Sequence, residues 1–188
     1  IVKPYSTSDD WYVYHQGLGN AKYIRLNVGA GGATTNASTW GSTTPTSSVF
    51  SIGTGFWGVN SVQNVFYAFA DVKGYSKMGS YTGNGDADGT FVYTGFKPAW
   101  TMIKKTTGDN WTVNDNKRNP FNLVNKNILA NHNHPESTSG ASVVDYLSNG
   151  MKMRGSDASH NGSGDEYIYA AFAENPFATS TGIPGLAR

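Results

Sequence analysis

Four side chains in this sequence have the types and spacing that metal binding requires. His132 and His134 are two residues apart, so on a strand both imidazoles would lie on one face and reach one metal ion. Asp86 and Asp88 lie in a Gly-rich stretch that superficially resembles a calcium loop. The histidines have only Glu136 as a nearby third ligand, and the aspartates lack the terminal Glu of a calcium-binding loop. Solvated loop histidines and a hairpin turn explain these residues more simply. We therefore predict no metal and no cofactor, with calcium at the aspartates as the alternative.

Side chains suited to catalysis are few. The 13 carboxylates are scattered along the chain, and neither a Gly-x-Ser-x-Gly elbow nor a His-Glu-x-x-His motif occurs. A glycosidase needs two carboxylates that face each other across a cleft, and only the fold could bring Asp145 to Asp165 or Glu166. We predict that the protein is not an enzyme.

Aromatic residues provide a more promising surface for a ligand. A flat ring beside amides and hydroxyls can stack on a sugar while its neighbours hydrogen-bond the sugar hydroxyls. Three tyrosines lie on strand faces opposite the presumed core, and two tryptophans lie in turn-rich segments without clear equivalents elsewhere in the chain. The alternative is that these rings pack in the core. The predicted ligand-binding residues are Tyr12, Tyr14, Tyr23, Trp40 and Trp57.

The composition argues against several other partners. Only 14% of the residues are charged and the formal net charge is +1, so we expect neither nucleic acid nor an anionic membrane as a partner. There is no cysteine, and no apolar run is long enough for a transmembrane helix. Abundant Gly with aromatic and uncharged polar residues is typical of short strands joined by tight turns.

Strands and turns account for most of the chain. Asn149-Gly150 is a strong hairpin signal, because both residues tolerate positive φ. Residues 122–131 have apolar side chains at helical spacing and could form a short helix, but their Asn and Lys content gives poor helix propensity. The predicted strands are 1–3, 11–14, 22–28, 48–52, 65–72, 75–81, 90–94, 143–147, 151–154 and 166–173.

The two halves of the chain repeat three landmarks in the same order. The second set follows the first by 100 to 103 residues, which indicates a tandem duplication. We therefore predict an all-β fold of two related antiparallel β-sandwich-like modules with long turn-rich loops, at residues 1–72 and 73–174, and an irregular tail at 175–188. The paired landmarks are Ile1–Lys3 with Met102–Lys104, Asp9–Val13 with Asp109–Val113, and Phe66–Asp71 with Tyr169–Glu174. The predicted core residues are Trp11, Val13, Ile24, Leu26 and Phe69, and Ile103, Trp111, Val113, Leu147 and Phe172.

The first unit lacks two strands that precede the second. The second unit is preceded by Tyr75–Tyr81 and Thr90–Thr94, whereas the sequence starts at Ile1 in a strand. We expect the sequence to be part of a longer protein. The first unit would be completed by upstream residues, by another chain or by the second unit, because an uncompleted sheet edge tends to pair.

Several segments of the sequence resemble a known domain family. Lys73–Trp100, Ser148–Lys152, Tyr167–Phe177 and the terminal Thr181–Arg188 resemble a domain of unknown function that is common in bacteriophage proteins, especially those of marine phages. In that family the domain lies at the C-terminal end of long virion proteins. It has no catalytic residues to carry over.

The resemblance implies a structural protein on the virion surface. We expect a tail fibre or other appendage that recognises host surface glycans and contacts other virion proteins. By analogy with fibres in general, we also expect it to form a homotrimer with copies of itself. The alternatives are an architectural capsid-decoration or fibre-shaft subunit without a soluble ligand, and a carbohydrate-binding module attached to a secreted enzyme.

Overall fold

The computed structural model describes residues 1–54, 62–138 and 142–176. Within these residues every regular element is a strand, which confirms the all-β prediction, and no helix could cross a membrane. Residues 122–131 do not form the short helix that their apolar spacing would allow, because residues 127–129 are a strand that pairs with the strand preceding it in the chain. The strands are β1 (Val2–Pro4), β2 (Tyr12–Val13), β3 (Lys22–Arg25), β4 (Thr34–Thr35), β5 (Asn64–Phe66), β6 (Ser76–Thr82), β7 (Phe91–Tyr93), β8 (Pro98–Lys105), β9 (Thr112–Asp115), β10 (Asn127–Leu129), β11 (Val144–Leu147), β12 (Gly150–Met153) and β13 (Glu166–Ala173).

The strands form three antiparallel sheets. Sheet one has the order β4-β3-β2-β1-β5, sheet two β10-β9-β8-β13-β6, and sheet three β11-β12-β7. The order β3-β2-β1-β5 in sheet one therefore reappears as β10-β9-β8-β13 in sheet two. Val2 pairs with Phe66 just as Ile103 pairs with Tyr169, at the spacing of the sequence landmarks. The duplication thus extends to the strand register.

The turn after the first strand of each unit is also duplicated. The Trp11 amide donates to Asn27 Oδ1 at 2.8 Å, and the Trp111 amide donates to Asn131 Oδ1 at 2.8 Å. The Lys104 ammonium donates to the carbonyl oxygen of residue 109, and that of Lys3 donates to the carbonyl oxygen of residue 9. The repeated Asp and Trp positions therefore mark one turn structure that is built twice.

The three sheets are stacked as layers with sheet two in the middle. Between sheets one and two lie Val13, Ile24, Trp111 and Ile168. The other face of sheet two packs on sheet three through Ile103, Val92, Phe96, Val124, Val144, Tyr146, Met151, Met153, Tyr167, Tyr169 and Ala171. The outer face of sheet one carries a further cluster of Val2, Tyr12, Tyr23 and Trp40. Sheet two belongs to both interfaces, so this packing does not test a boundary between two modules. The predicted module boundary at residue 72 therefore stays a prediction.

The predicted core is only partly correct. Val13, Ile24, Ile103, Trp111 and Val113 are buried. Phe69 was expected in the core but is 56% exposed. Trp11, Leu26, Leu147 and Phe172 are only partly buried. Trp11 stacks on Tyr67 at a centroid distance of 6.1 Å. It is less buried than Trp111 because the duplicated turn faces a neighbouring sheet only in the second unit.

Two local predictions differ from the structure. The β11–β12 hairpin is present, but Leu147 pairs with Gly150, so its two-residue turn is 148–149. A Cβ at Gly150 would lie 2.3 Å from the Val92 carbonyl oxygen, so this glycine serves the close approach of β7. The strand expected at 48–52 is irregular. The last twelve residues of the expected tail lie outside the described residues.

Candidate functional site

The aromatic residues predicted to bind a ligand are mostly core residues. Trp40 is 3% exposed, and its indole N–H donates to the Lys22 carbonyl at 2.8 Å. Tyr12 and Tyr23 are buried and their rings meet at 5.1 Å, while Tyr14 is half-buried with its ring edge-to-face against Trp40 at 5.7 Å. Burial first, and then the hydrogen bond to Asp9, raise the pKa of Tyr12. The expectation of an exposed stacking surface at these residues is wrong.

The error has a simple physical cause. Alternation along a strand separates two faces but does not tell which face meets solvent. Sheet one is covered on both faces, by sheet two on one side and by the aromatic cluster with Trp40 on the other. Trp57, the fifth predicted residue, lies outside the described residues.

The weak metal candidates do not form a metal site. Among the described residues no group of three or more His, Asp or Glu side chains could hold a metal ion. His132 and His134 are exposed with ring centroids 4.0 Å apart. Asp88 forms an ion pair with Lys152 at 2.8 Å, and Asp86 Oδ1 accepts the Asp88 amide at 2.8 Å. These carboxylates therefore serve a turn and an ion pair.

The turn at Asp86 is stabilised by hydrogen bonds from a buried asparagine. Asn161 is fully buried, and its Nδ2 donates to Asn84 Oδ1 and to the carbonyl oxygens of Asp86 and Gly155 at 2.8 to 2.9 Å. Its Oδ1 accepts the Asn84 amide at 3.1 Å. Backbone geometry fixed by Asn161 explains the Asn, Asp and Gly residues of this loop.

The carboxylates considered for glycoside hydrolysis are paired separately. Asp145 Oδ2 lies 3.3 Å from Arg154 Nε on sheet three, and Asp165 lies 2.7 Å from Lys105 Nζ beside sheet two. Glu166 is exposed at the start of β13. The structure gives each aspartate its own cation and does not present them as a facing pair.

One concave feature of the described surface is a groove that we call the β9–β10 groove. It has a volume of about 550 Å³, and its lining includes residues of β9 and β10. Most of the lining residues are of polar type, with hydroxyl, amide, carboxylate or imidazole groups. The lining residues are Asp109, Asn110, Thr112, Asn127, Leu129, His134, Pro135, Glu136, Ser137, Ser142 and Ser159.

Asn127 is the most informative residue of this groove. It is 4% exposed, and its Nδ2 has no hydrogen-bond partner among the described residues. A buried amide without a partner is costly, so such groups generally bind water or a ligand. The groove therefore has an unused donor in its wall.

A buried polar network lies behind this wall. Asn114 Nδ2 donates to the carbonyl oxygens of Lys126 and Ser142 at 3.3 to 3.4 Å, so its Oδ1 is left to accept from His160 Nε2 at 3.3 Å. Burial lowers the pKa of His160 to about 4, which leaves its imidazole neutral near pH 7. Ser142 Oγ contacts Ser159 Oγ at 3.1 Å, which connects the network to the groove.

The charges around the groove nearly cancel. Glu136 is held by Arg118 at 3.1 Å and by Lys126 at 3.4 Å. Asp109 is the other carboxylate in the lining. A neutral surface with many hydrogen-bonding groups suits an uncharged, hydroxyl-rich ligand better than a phosphate or a polycation.

Sequence reasoning missed the groove because its residues come from distant segments. The segment with Asn127 has apolar side chains at helical spacing and poor helix propensity, and Ser142, Ser159 and His160 carry no motif. The available signal was Asn at 114 and 127, since Asn is depleted in strands unless its side chain has a specific role.

Comparison with known proteins places the chain in a family. Residues 1–176 match the model of a domain of unknown function, DUF7483. The chain belongs to this DUF7483 family. No curated protein and no solved structure matches it. The match covers the segments of both predicted units.

Proposed function

We propose that this DUF7483 chain is a non-enzymatic bacteriophage virion protein, a tail-fibre or surface-appendage domain that binds host surface glycans. The resemblance of Lys73–Trp100 and the later segments to phage virion proteins supports the virion part of this proposal. The β9–β10 groove carries the glycan part, because it combines an unpartnered buried amide with hydroxyls and balanced charge. Copies of the chain associate with one another on the particle surface.

The groove favours a sugar bound through hydrogen bonds more than through ring stacking. None of the described residues that line it is Phe, Tyr or Trp. Amide and hydroxyl groups recognise sugar hydroxyls by direct or water-mediated hydrogen bonds. Affinity per site is then modest, and several copies on one particle would raise the overall avidity.

A glycan array probed with the assembled protein tests this function. We expect a set of neutral glycans to bind, and Asn127→Leu to weaken binding at least about tenfold, the effect of losing one buried hydrogen bond and leaving its partner unpaired. Tyr93→Ser is the matched control, because Tyr93 is 66% exposed and does not line the groove. An array that stays blank, or binding that Asn127→Leu leaves unchanged, would contradict a glycan site in the groove.

A second candidate is an architectural subunit of a capsid or fibre shaft. The observation in its favour is the number of large apolar side chains left exposed, including Tyr5, Phe69, Tyr93 and Phe121 at 56 to 82%. Exposed aromatic groups of this size commonly contact neighbouring subunits. Immunogold labelling of virions decides between the two: label at a fibre tip supports the receptor-binding role, and label over the capsid or along a shaft supports the architectural one.

A further inference from the structure

β5 is an outer strand of sheet one with one edge unpaired. Its inner edge pairs with β1, and the bonds from the Tyr5 amide to the Gln63 carbonyl and from the Tyr67 amide to the Ile1 carbonyl continue this ladder. In an antiparallel ladder alternate residues direct their N–H and C=O groups to opposite sides. The backbone groups of Asn64, Phe66 and Ala68 therefore point away from β1, and they make no hydrogen bond within the described residues.

The second unit shows what this edge can accept. β13 is the equivalent of β5, and its outer edge is fully paired with β6. Tyr169, the equivalent of Phe66, pairs there with Gly79, and Tyr167 and Ala171 pair with Tyr81 and Lys77. β5 has the same backbone geometry, but among the described residues no strand equivalent to β6 pairs with its outer edge.

Two other outer strands of the described chain, β6 and β11, are capped by groups of the chain itself. On β6, the Met78 amide donates to Asp71 Oδ1 at 2.7 Å, and Gln16 Nε2 donates to the Met78 carbonyl. On β11, the side-chain Nδ2 of Asn122 donates to the Tyr146 carbonyl, and its Oδ1 accepts the Tyr146 amide, each at 3.0 Å. Such caps prevent edge-to-edge association, and β5 has none.

The segment that contains β5 has exposed aromatic side chains and no charged side chain of its own. Phe66 is 36% exposed and its ring meets that of Phe50, which is 47% exposed, at 5.2 Å. On the opposite face of the edge Tyr67 is 48% exposed. No Asp, Glu, Lys, Arg or His occurs between Arg25 and Asp71. Charged residues are the commonest protection of a sheet edge against self-association, and this segment lacks them.

We propose that β5 pairs antiparallel with β5 of a second copy of this chain, across a two-fold axis at Phe66. Asn64 of each copy would lie opposite Ala68 of the other, and sheet one would continue into a ten-stranded sheet across the dimer. This isologous pairing closes after two copies. The neutral edge imposes no charge repulsion, and the rings of Phe66 and Phe50 from both copies become one buried aromatic group.

The other outer strand with exposed aromatic residues is β7, where Phe91 is 44% and Tyr93 is 66% exposed. β7 is flanked by Asp88, whose side chain is 80% exposed, and by Lys97. These charges protect β7 and make it the internal control for β5.

Analytical ultracentrifugation over a range of concentrations tests the proposal. We expect a reversible dimer. Phe66→Lys and Ala68→Pro should each raise the dissociation constant of this dimer at least about tenfold. The Ala68 amide points outward, so proline removes a donor to the partner without removing a bond within the chain. Tyr93→Lys, the matched control, should leave the dimer intact, and circular dichroism of each variant checks that it is folded.

Hydrogen exchange gives a second readout at the residues concerned. The amides of Phe66 and Ala68 should become protected as the protein concentration rises, while the amide of Tyr93 should not. A monomer at every concentration, an oligomer unaffected by Phe66→Lys and Ala68→Pro, or dissociation caused only by Tyr93→Lys would each overturn the proposal. The glycan array is independent of this result, because the β9–β10 groove lies in the other unit.

Discussion

At the scale of single residues, the duplication gives equivalent side chains unequal environments. Trp111 is 3% exposed between sheets one and two, and its indole N–H donates to the Arg25 carbonyl at 2.9 Å. Trp11 occupies the same turn in the first unit but is only half-buried. The second unit therefore uses this tryptophan as an anchor on the first.

The two tryptophans should differ in their contribution to stability. We expect Trp111→Ala to lower the free energy of unfolding by about 3–5 kcal/mol, because it creates a cavity in the inter-sheet core. Trp11→Ala should cost about 1–2 kcal/mol, because less apolar surface is removed from the interior. Urea unfolding of both variants measures the difference, and equal losses would contradict the assignment of only Trp111 to the core.

His160 makes stability depend on pH. Its pKa is lowered from 6.5 to about 4 by burial, so the unfolded chain binds the proton more readily than the folded chain. Stability should therefore fall as the pH decreases from about 6.5 to about 4, by about 3 kcal/mol for a shift of this size. Burial lowers the pKa of His15 as well, which adds to the same trend.

Urea unfolding between pH 4 and pH 7 measures this slope. His160→Asn should flatten it, and His132→Asn, at an exposed position, should leave it unchanged. A slope that persists in full in His160→Asn would assign the acid sensitivity to other groups.

At the scale of elements, β6 fits β13 through a glycine. Gly79 pairs with Tyr169, and a Cβ at this position would lie 2.6 Å from the Tyr169 hydroxyl and 2.7 Å from its ring. Tyr169 is 3% exposed, and its ring packs against Tyr81 at 6.3 Å, so it has no free space to move into. The small residue in β6 is required by the aromatic residue across the strand pair.

Gly79→Ala should therefore destabilise the protein. We expect a loss of about 1–3 kcal/mol from overpacking, although alanine is otherwise favoured over glycine in a strand. Thermal unfolding measures it, with Ser80→Ala, at the next and exposed position of β6, as the control. A Gly79→Ala variant as stable as the control would show that Tyr169 can move.

At the scale of the whole molecule, β13 connects the two inter-sheet cores. Its Ile168 packs between sheets one and two, while Tyr167 and Tyr169 on its other face pack between sheets two and three. Loss of either outer layer would expose one face of the central sheet to water. The two units are therefore related in sequence, and they pack against each other through a shared hydrophobic core.

We expect the molecule to unfold in one cooperative transition. Calorimetry should give equal calorimetric and van't Hoff enthalpies for the monomeric Phe66→Lys variant, in which association does not contribute. Two separate transitions would show that the units fold independently despite the shared sheet.

The sequence by itself determined the all-β class, most strands of the second unit and the duplication with its register. These features depend on period-two alternation, local turn residues and repeated landmarks, all of which are written in consecutive residues. Only the tertiary structure decided which faces are buried. It placed Tyr12, Tyr23 and Trp40 in the core and assembled the groove around Asn127 from distant segments. It also left the outer edge of β5 without a partner strand among the described residues. The physical reason is that the two faces and the two edges of a strand are equivalent until a neighbouring layer packs against them.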